Sequence, residues 1–413
     1  MSKKKWIAGL AAASILATVA AGCTTKKAET PAPAGGTTAP AKGGKKVLVW
    51  SHLTEQEVGD VRTLAEKWAK DTGNTVEVIY DQTGFQEFAT AATAGAAPDL
   101  MYGIAHDNLG TFWKAGLLEA IPAGTINDAD YVQTALDAVN FEGKRYGVPV
   151  SMEAIGLFYN KKLVQTAPKT WAEFEKAANE KGFQYDAKNF YFSYGFLGGE
   201  GGYVFGKKDG ALNKDDVGLN NDGAVKGLTL IGDFANKYKW MPQDINNDMA
   251  KANFQTGKSA FYISGPWDVK GFKDAGVDFG VAPMPTMPSG KAFQPFVGVQ
   301  AAFVWSGTKV KAEALDLMKY LQANSPKPLF KTGNRIPVQK KFQEDAEVKA
   351  NAELAAFGQS ATNGVPMPNI PAMGAVWDPA GKSLDLVITG KAQPKAAADD
   401  AVKTIKDAIK AQG

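Results

Sequence analysis

Among 413 residues there is one cysteine, Cys23, and there are two histidines, His52 and His106. A single thiol excludes any disulfide within the chain. With only two imidazoles beside it, there are too few ligands for a zinc cluster and no Cys/His catalytic pair; no metal or other cofactor is expected. No Gly-x-Ser-x-Gly elbow occurs. The glycine run Gly198-Gly199-Glu200-Gly201-Gly202 lacks the Lys-Ser/Thr of a phosphate-binding loop and the spacing of the dinucleotide fingerprint. A dominant charge is missing as well: 46 basic against 43 acidic residues leave a formal charge of +3, part of it from Lys3, Lys4 and Lys5. So even a balance excludes an electrostatic footprint for nucleic acid. Carboxylates are plentiful, and a glycosidase working with Asp107 or Glu153 and a second acid is compatible with content alone.

Long apolar runs are confined to the N-terminus. Met1 to Gly22 has a basic start, an apolar stretch from Trp6 to Ala21 and small residues before Cys23, the pattern of a secretory signal peptide, too short and alanine-rich for a membrane span. Ala20-Ala21-Gly22-Cys23 resembles a bacterial lipoprotein box, with Ala20 where leucine is commonest; this implies that Cys23 is lipidated and becomes the mature N-terminus. Residues 23–46 contain no large apolar side chain until the following strand and read as a flexible tether. Localisation is therefore expected outside the cytoplasm, on the membrane. The remainder exceeds one hydrophobic core, which predicts two lobes.

The folded part opens with strand, helix, strand, helix, strand. Val47 to Trp50 is the first strand. Thr54-Glu55-Gln56-Glu57 fits a capping box, and Val58, Val61, Ala65 and Trp68 form one apolar helical face. A strand from Thr75 to Tyr80, a helix from Phe85 to Ala94 and a strand from Asp99 to Ile104 complete a parallel α/β unit. Apolar runs at 146–150 and 155–159 are placed to carry the chain into a second lobe. Later helices are expected at 171–181, 224–238, 248–256, 312–323, 344–357 and 396–411, and strands at 278–282 and 296–305. Phe190 to Tyr194 reads as an aromatic stretch ahead of a glycine loop.

The most informative stretch is Ser259 to Asp268, a buried strand broken by Gly265-Pro266 with Trp267 at its exit. Ligands bind outside the carboxyl ends of strands in such sheets, so Trp267 either plugs the core or floors a site. Polar and aromatic residues gather at other exits: Thr54 and Glu55 after the first strand, His106, Asp107 and Asn108 after the third, and Trp377-Asp378 after a proline-rich loop. A sugar ring suits such places, having an apolar face for stacking and a rim of hydroxyls for carboxylates and amides. Thr54 and Asp107 fit a helix cap equally well, and His106 reads first as a structural histidine.

Several of these stretches resemble the maltose/maltodextrin-binding proteins, the extracytoplasmic solute receptors of ATP-binding-cassette sugar importers. They are Ala94 to Leu100, Ala105-His106-Asp107, Met152-Glu153-Ala154 with Phe158 to Lys161, Asn221 to Ala224, Ser264 to Trp267, Pro295 to Val299, and Met367 to Met373. The resemblance implies an α/β fold of two doubly wound lobes, each a sheet flanked by helices, with three crossings and sugar held between them. By position one lobe would comprise 45–151 and 302–346, the other 152–301 and 347–413. It further implies that Trp267, Trp377 and Tyr191 stack on sugar, that Glu153 and Asp107 bind hydroxyls, and that Thr54, Glu55 and Asn108 occupy polar site positions. Departures accompany it. The family's Asp-Lys pair aligns near Thr54-Glu55 without the lysine, its tryptophan before Ala-His-Asp is Ile104, its following arginine is Asn108, and an arginine beyond the last tryptophan is missing. A less charged lid of this kind implies tolerance of longer or cyclic glucans, including cyclodextrins. The implied partners are a maltodextrin or cyclodextrin ligand, membrane-embedded permease subunits and the membrane itself through Cys23, with the receptor a monomer and not an enzyme.

Overall fold

The computed structural model describes residues 44–412. The signal segment, Cys23 and nearly all of the tether lie outside the described residues. The tether expected to run through Lys46 stops sooner, because Lys46 already opens β1 (Lys46–Ser51). Side chains alternate along this strand: Val47 and Val49 enter one core and Trp50 packs on the other, as a period of two demands. α1 (Glu55–Thr72) starts as predicted: the Glu57 amide donates to Thr54 Oγ1 at 3.4 Å while the Thr54 amide donates to Glu57 Oε2 at 2.9 Å. Its buried face includes Val58, Val61, Ala65 and Trp68. β2 (Thr75–Tyr80), α2 (Glu87–Thr93) and β3 (Leu100–Ala105) follow. α2 begins two residues later than the sequence predicts, which leaves Phe85 in the preceding loop.

β1 pairs in parallel with both β2 and β3. Beyond β3 the sheet ceases to be parallel. Strand Phe296–Val304 lies antiparallel between β3 and Val148–Ala154, with Ile336–Pro337 at the far edge and Val365–Pro366 paired to its start, giving seven strands. An antiparallel neighbour needs no crossover helix, so nothing in the local pattern announces it. Leu100, Tyr102, Ala302 and Val304 face one core, and Met101, Ile104, Ala301 and Phe303 the other. The sheet is thus covered on both faces. A second sheet of four strands runs Phe279–Ala282, Gly156–Asn160, Phe261–Ser264 and Phe183–Gln184. It has a separate core rich in rings, including Phe158, Phe174, Phe234, Phe254 and Phe272. The fold is a two-lobed α/β arrangement. Strands Val148–Ala154 and Gly156–Asn160 belong to different sheets and are separated by Ile155 alone.

Three local expectations change. Phe190 to Glu200 is one helix, so Gly198 and Gly199 lie inside it and only Gly201, at φ 109°, closes it. Its rings are buried nearly all round, and tertiary packing of that kind overrides the strand preference of aromatic residues. The helix expected at 344–357 divides into Ala346–Ala350 and Ala352–Thr362, the second capped by Asn351, whose Oδ1 accepts from the Leu354 amide at 2.7 Å. Trp377 does not close a loop but opens the helix Trp377–Ile388. Among the described residues no helix is long and apolar enough to cross a membrane.

Candidate functional site

Strand Phe261–Ser264 is buried throughout and ends at Gly265; Pro266 then starts a single turn, Pro266–Asp268, that carries Trp267. Only glycine fits at 265, because a Cβ there would run into the Trp267 indole. The turn is pinned from below by Asp268, which accepts from Ser264 Oγ at 2.6 Å, Tyr262 Oη at 3.1 Å and Lys251 Nζ at 2.6 Å. Trp267 is half-buried, packing on the aromatic core on one side and lining a cavity of about 500 Å³ on the other. The alternatives of plug and floor therefore resolve into both.

Tyr191 and Trp377 line the same cavity. Tyr191 sits in the first turn of Phe190–Glu200, where Asn189 Oδ1 accepts from its amide at 3.0 Å. Its ring centroid is 6.2 Å from that of Trp267. Trp377 meets Phe190 and Phe296 edge-on at 5.9 and 6.0 Å, and its Nε1 donates to Asp107 Oδ2 at 3.1 Å. Asp107, buried in the turn His106–Asn108 after β3, makes no helix cap. Burial pushes its pKa up to about 7; its own amide and the Trp377 indole act against this, and the Glu153 charge adds to it. Asn108 also lines the cavity and donates from Nδ2 to the Ala105 carbonyl at 3.1 Å. His106 is structural, as read: Nδ1 accepts from the Val299 amide and Nε2–H donates to the Met367 carbonyl, each at 3.1 Å. Burial holds its pKa down at about 4, so it is neutral.

Glu153 forms the polar floor. It accepts from Gln300 Nε2 at 3.0 Å through Oε1 and pairs with the Arg335 guanidinium through Oε2. Arg335 also grips Glu57 in two contacts, Nε to Oε1 at 2.7 Å and Nη2 to Oε2 at 2.9 Å, and lies 5.7 Å from the Trp267 ring. All three charged groups are buried. Burial opposes ionisation of Glu57, but Arg335 and the Thr54 hydrogen bonds outweigh it and hold its pKa low; burial raises that of Glu153, countered by Arg335 and Gln300. Tyr191 Oη and Gln300 Oε1 are buried without a partner within the protein. A buried polar atom left unpaired costs about 1–3 kcal/mol, and both atoms belong to residues that line the cavity.

Of the eight ligand-site candidates, Trp267, Trp377, Tyr191, Glu153, Asp107 and Asn108 come together around the cavity. Thr54 and Glu55 do not line it: the Thr54 hydroxyl is taken by the capping box and Glu55 is exposed on α1. Sequence reasoning missed Phe85, Gln86, Gln300 and the supporting Arg335. One signal was available for the last. Arg335 is one of only three arginines beside many lysines, and arginine is preferred where a buried carboxylate is held bidentately. A second cavity of similar size, near Tyr203 and Phe205, has His106 as its only buried titratable side chain apart from Tyr194. Among the described residues no cluster of His, Cys, Asp and Glu is arranged to hold a metal.

A family model described as bacterial extracellular solute-binding protein matches residues 63–356. A maltooligosaccharide ABC transporter solute-binding lipoprotein of Streptococcus pneumoniae is 32% identical, the match covering 99% of each chain. The solved maltose-maltodextrin binding protein of Alicyclobacillus acidocaldarius superposes with a TM-score of 0.85 at 41% identity, covering 87% of this chain and 100% of that one. A cyclo/maltodextrin-binding protein solved with maltotetraose superposes at 0.74 with 32% identity, covering 88% of this chain and 97% of that one. Two sheets with separate cores, a cavity walled by rings over a charged floor, and matches that run the length of the described fold agree on one assignment: the chain belongs to the bacterial extracellular solute-binding proteins.

Proposed function

We propose that this protein captures maltose and longer α-glucans in the cavity bounded by Tyr191, Trp267 and Trp377 and delivers them to the membrane-embedded subunits of an ATP-binding-cassette importer. The family is one of solute-binding proteins, so the glycosidase left open by carboxylate content falls away. The observation that carries the reading is the pairing of three half-buried rings with buried acceptors in one enclosure, Glu153 and Asp107 beside Gln300 and Tyr191 Oη. A pyranose presents the matching surfaces, an apolar face and a polar rim. Magnitudes call for both halves. Micromolar affinity requires about 8 kcal/mol, and an aromatic contact adds about 0.5–1.5 kcal/mol beyond area burial. Three rings alone fall short, and the polar floor supplies the remainder.

The two lobes are assigned to 45–151 with 302–346 and to 152–301 with 347–413; the core clusters separate in largely the same sense, although Met152, Val299 and Ala301, on strands of the seven-stranded sheet, pack with the first lobe. Closure of one lobe on the other by hinge bending encloses the sugar. Cys23 carries the lipid that anchors the receptor outside the cytoplasm, and the receptor acts as a monomer. Calorimetric titration of the purified protein with maltose, maltotriose and a cyclodextrin tests the ligand class. Saturable heat with at least one of these is expected; no heat with any of them would remove the glucan reading.

A further inference from the structure

Of the large apolar side chains among the described residues, Ile79, Phe85 and Tyr203 are exposed, and only Phe85 lines the cavity that holds the three rings. It is 45% exposed, whereas Tyr191, Trp267 and Trp377 are half-buried against the aromatic core. Holding such a ring partly in water forgoes part of the roughly 1.5–3 kcal/mol that full burial would return. The loop that presents it is fixed. The His52 ring packs against Phe85 at 5.0 Å and 46°. His52 Nε2 meets Asp81 Oδ2 at 2.9 Å, and Asp81 Oδ1 accepts from the Thr83 amide at 3.0 Å and from Thr83 Oγ1 at 2.6 Å. Burial lowers the pKa of His52, with Asp81 acting in the opposite sense. Phe85 is thus backed by the His52 ring, which lies beside the Asp81 carboxylate, and that carboxylate is tied into its own turn. Gln86, the next residue, also lines the cavity.

Glu153, Gln300 and the Tyr191 hydroxyl are the buried polar groups of the same lining. On the glucan reading a short sugar bonds these groups and rests on the three half-buried rings, and a longer one has further rings to offer to the exposed face of Phe85.

We propose that Phe85 is an outer stacking platform that discriminates ligands by length, gripping a sugar ring that only longer or cyclic oligosaccharides bring to the lip. This rests on the glucan reading above. The test compares wild type, Phe85→Ala and Phe85→Tyr by calorimetry with maltose, maltotetraose and a cyclodextrin. Phe85→Ala is expected to leave maltose affinity within about twofold while weakening maltotetraose or the cyclodextrin about fivefold to tenfold, the scale of one stacking contact with its buried area. Phe85→Tyr, which keeps the ring, is expected to restore it. Phe85 is exposed and outside the core, and an unchanged melting temperature checks that the fold is kept. An equal loss for all three ligands, or no loss for any, overturns the proposal while leaving the glucan reading in place. Absence of heat with wild-type protein removes both.

Discussion

The aromatic wall and the polar floor of the cavity are held in place by different physics. Tyr191, Trp267 and Trp377 rest on a core of other rings, with contacts such as Tyr194 on Phe296 at 3.9 Å behind them. Many neighbours share that support, and the loss of one is absorbed by the rest. The floor has one counter-ion, a single guanidinium, beside the neutral donors Gln300 and Thr54. Arg335 joins Glu57 from α1, Glu153 from Val148–Ala154 and the ring of Trp267. It lies outside the cavity lining and still touches both halves of the site. On the proposed reading the wall takes the apolar face of a sugar and the floor its hydroxyls, and the floor rests on the Arg335 charge with Gln300 as a second donor to Glu153.

Removing that support tests the contrast most severely. Arg335→Met leaves Glu57 and Glu153 buried without their counter-ion, and a loss of about 3–5 kcal/mol in stability is expected, measured by urea unfolding. Arg335→Lys should recover only part of it, because a single ammonium cannot replace the two-point grip on Glu57. A fully stable Arg335→Met would show that the floor is organised some other way. Next in size are the wall substitutions. Trp267→Ala and Trp377→Ala are each expected to weaken glucan binding at least about tenfold, near 1.4 kcal/mol, with the fold retained; unchanged affinity in both would reduce the rings to packing. The smallest effect concerns Asp107. Its pKa of about 7 lies above the ordinary carboxylate range because it is buried. A ligand hydroxyl donating to the carboxylate favours the ionised form, so binding releases a proton near neutrality and affinity falls as pH drops below about 7. A few-fold change from about pH 8 to pH 5 is expected, and Asp107→Asn should flatten it. Since His106 titrates at about 4, it stays neutral across that range.

What was legible beforehand divides along related lines. β1, α1, β2 and β3 followed from periodicity and a capping box, both local features. The place of Phe296–Val304 between β3 and Val148–Ala154 did not, because strand order is fixed by pairing across more than a hundred residues. Trp267 was legible because Gly265 and Pro266 punctuate the chain beside it. Tyr191 was named as a stacking residue although its segment was read as a stretch before a loop and is a helix. Thr54 showed the opposite outcome: the structure displays its local capping role and does not bring it to the cavity lining. Gln300, Phe85 and Arg335 gave no local signal of chemistry, since each acquires its role from partners far away in sequence.

The single residue between the two sheets has a mechanical consequence. If one sheet turns against the other at Ile155, each atom is displaced in proportion to its distance from that pivot. Glu153 stands two positions before it, and Gln300 lies on the strand paired alongside, opposite Ser151. These groups sit on the short arm of the lever and hardly travel. Trp377, which packs on the aromatic core of the second sheet, is already joined to Asp107 just past the end of β3 by its indole N–H, so a turn that parts the sheets strains that one contact.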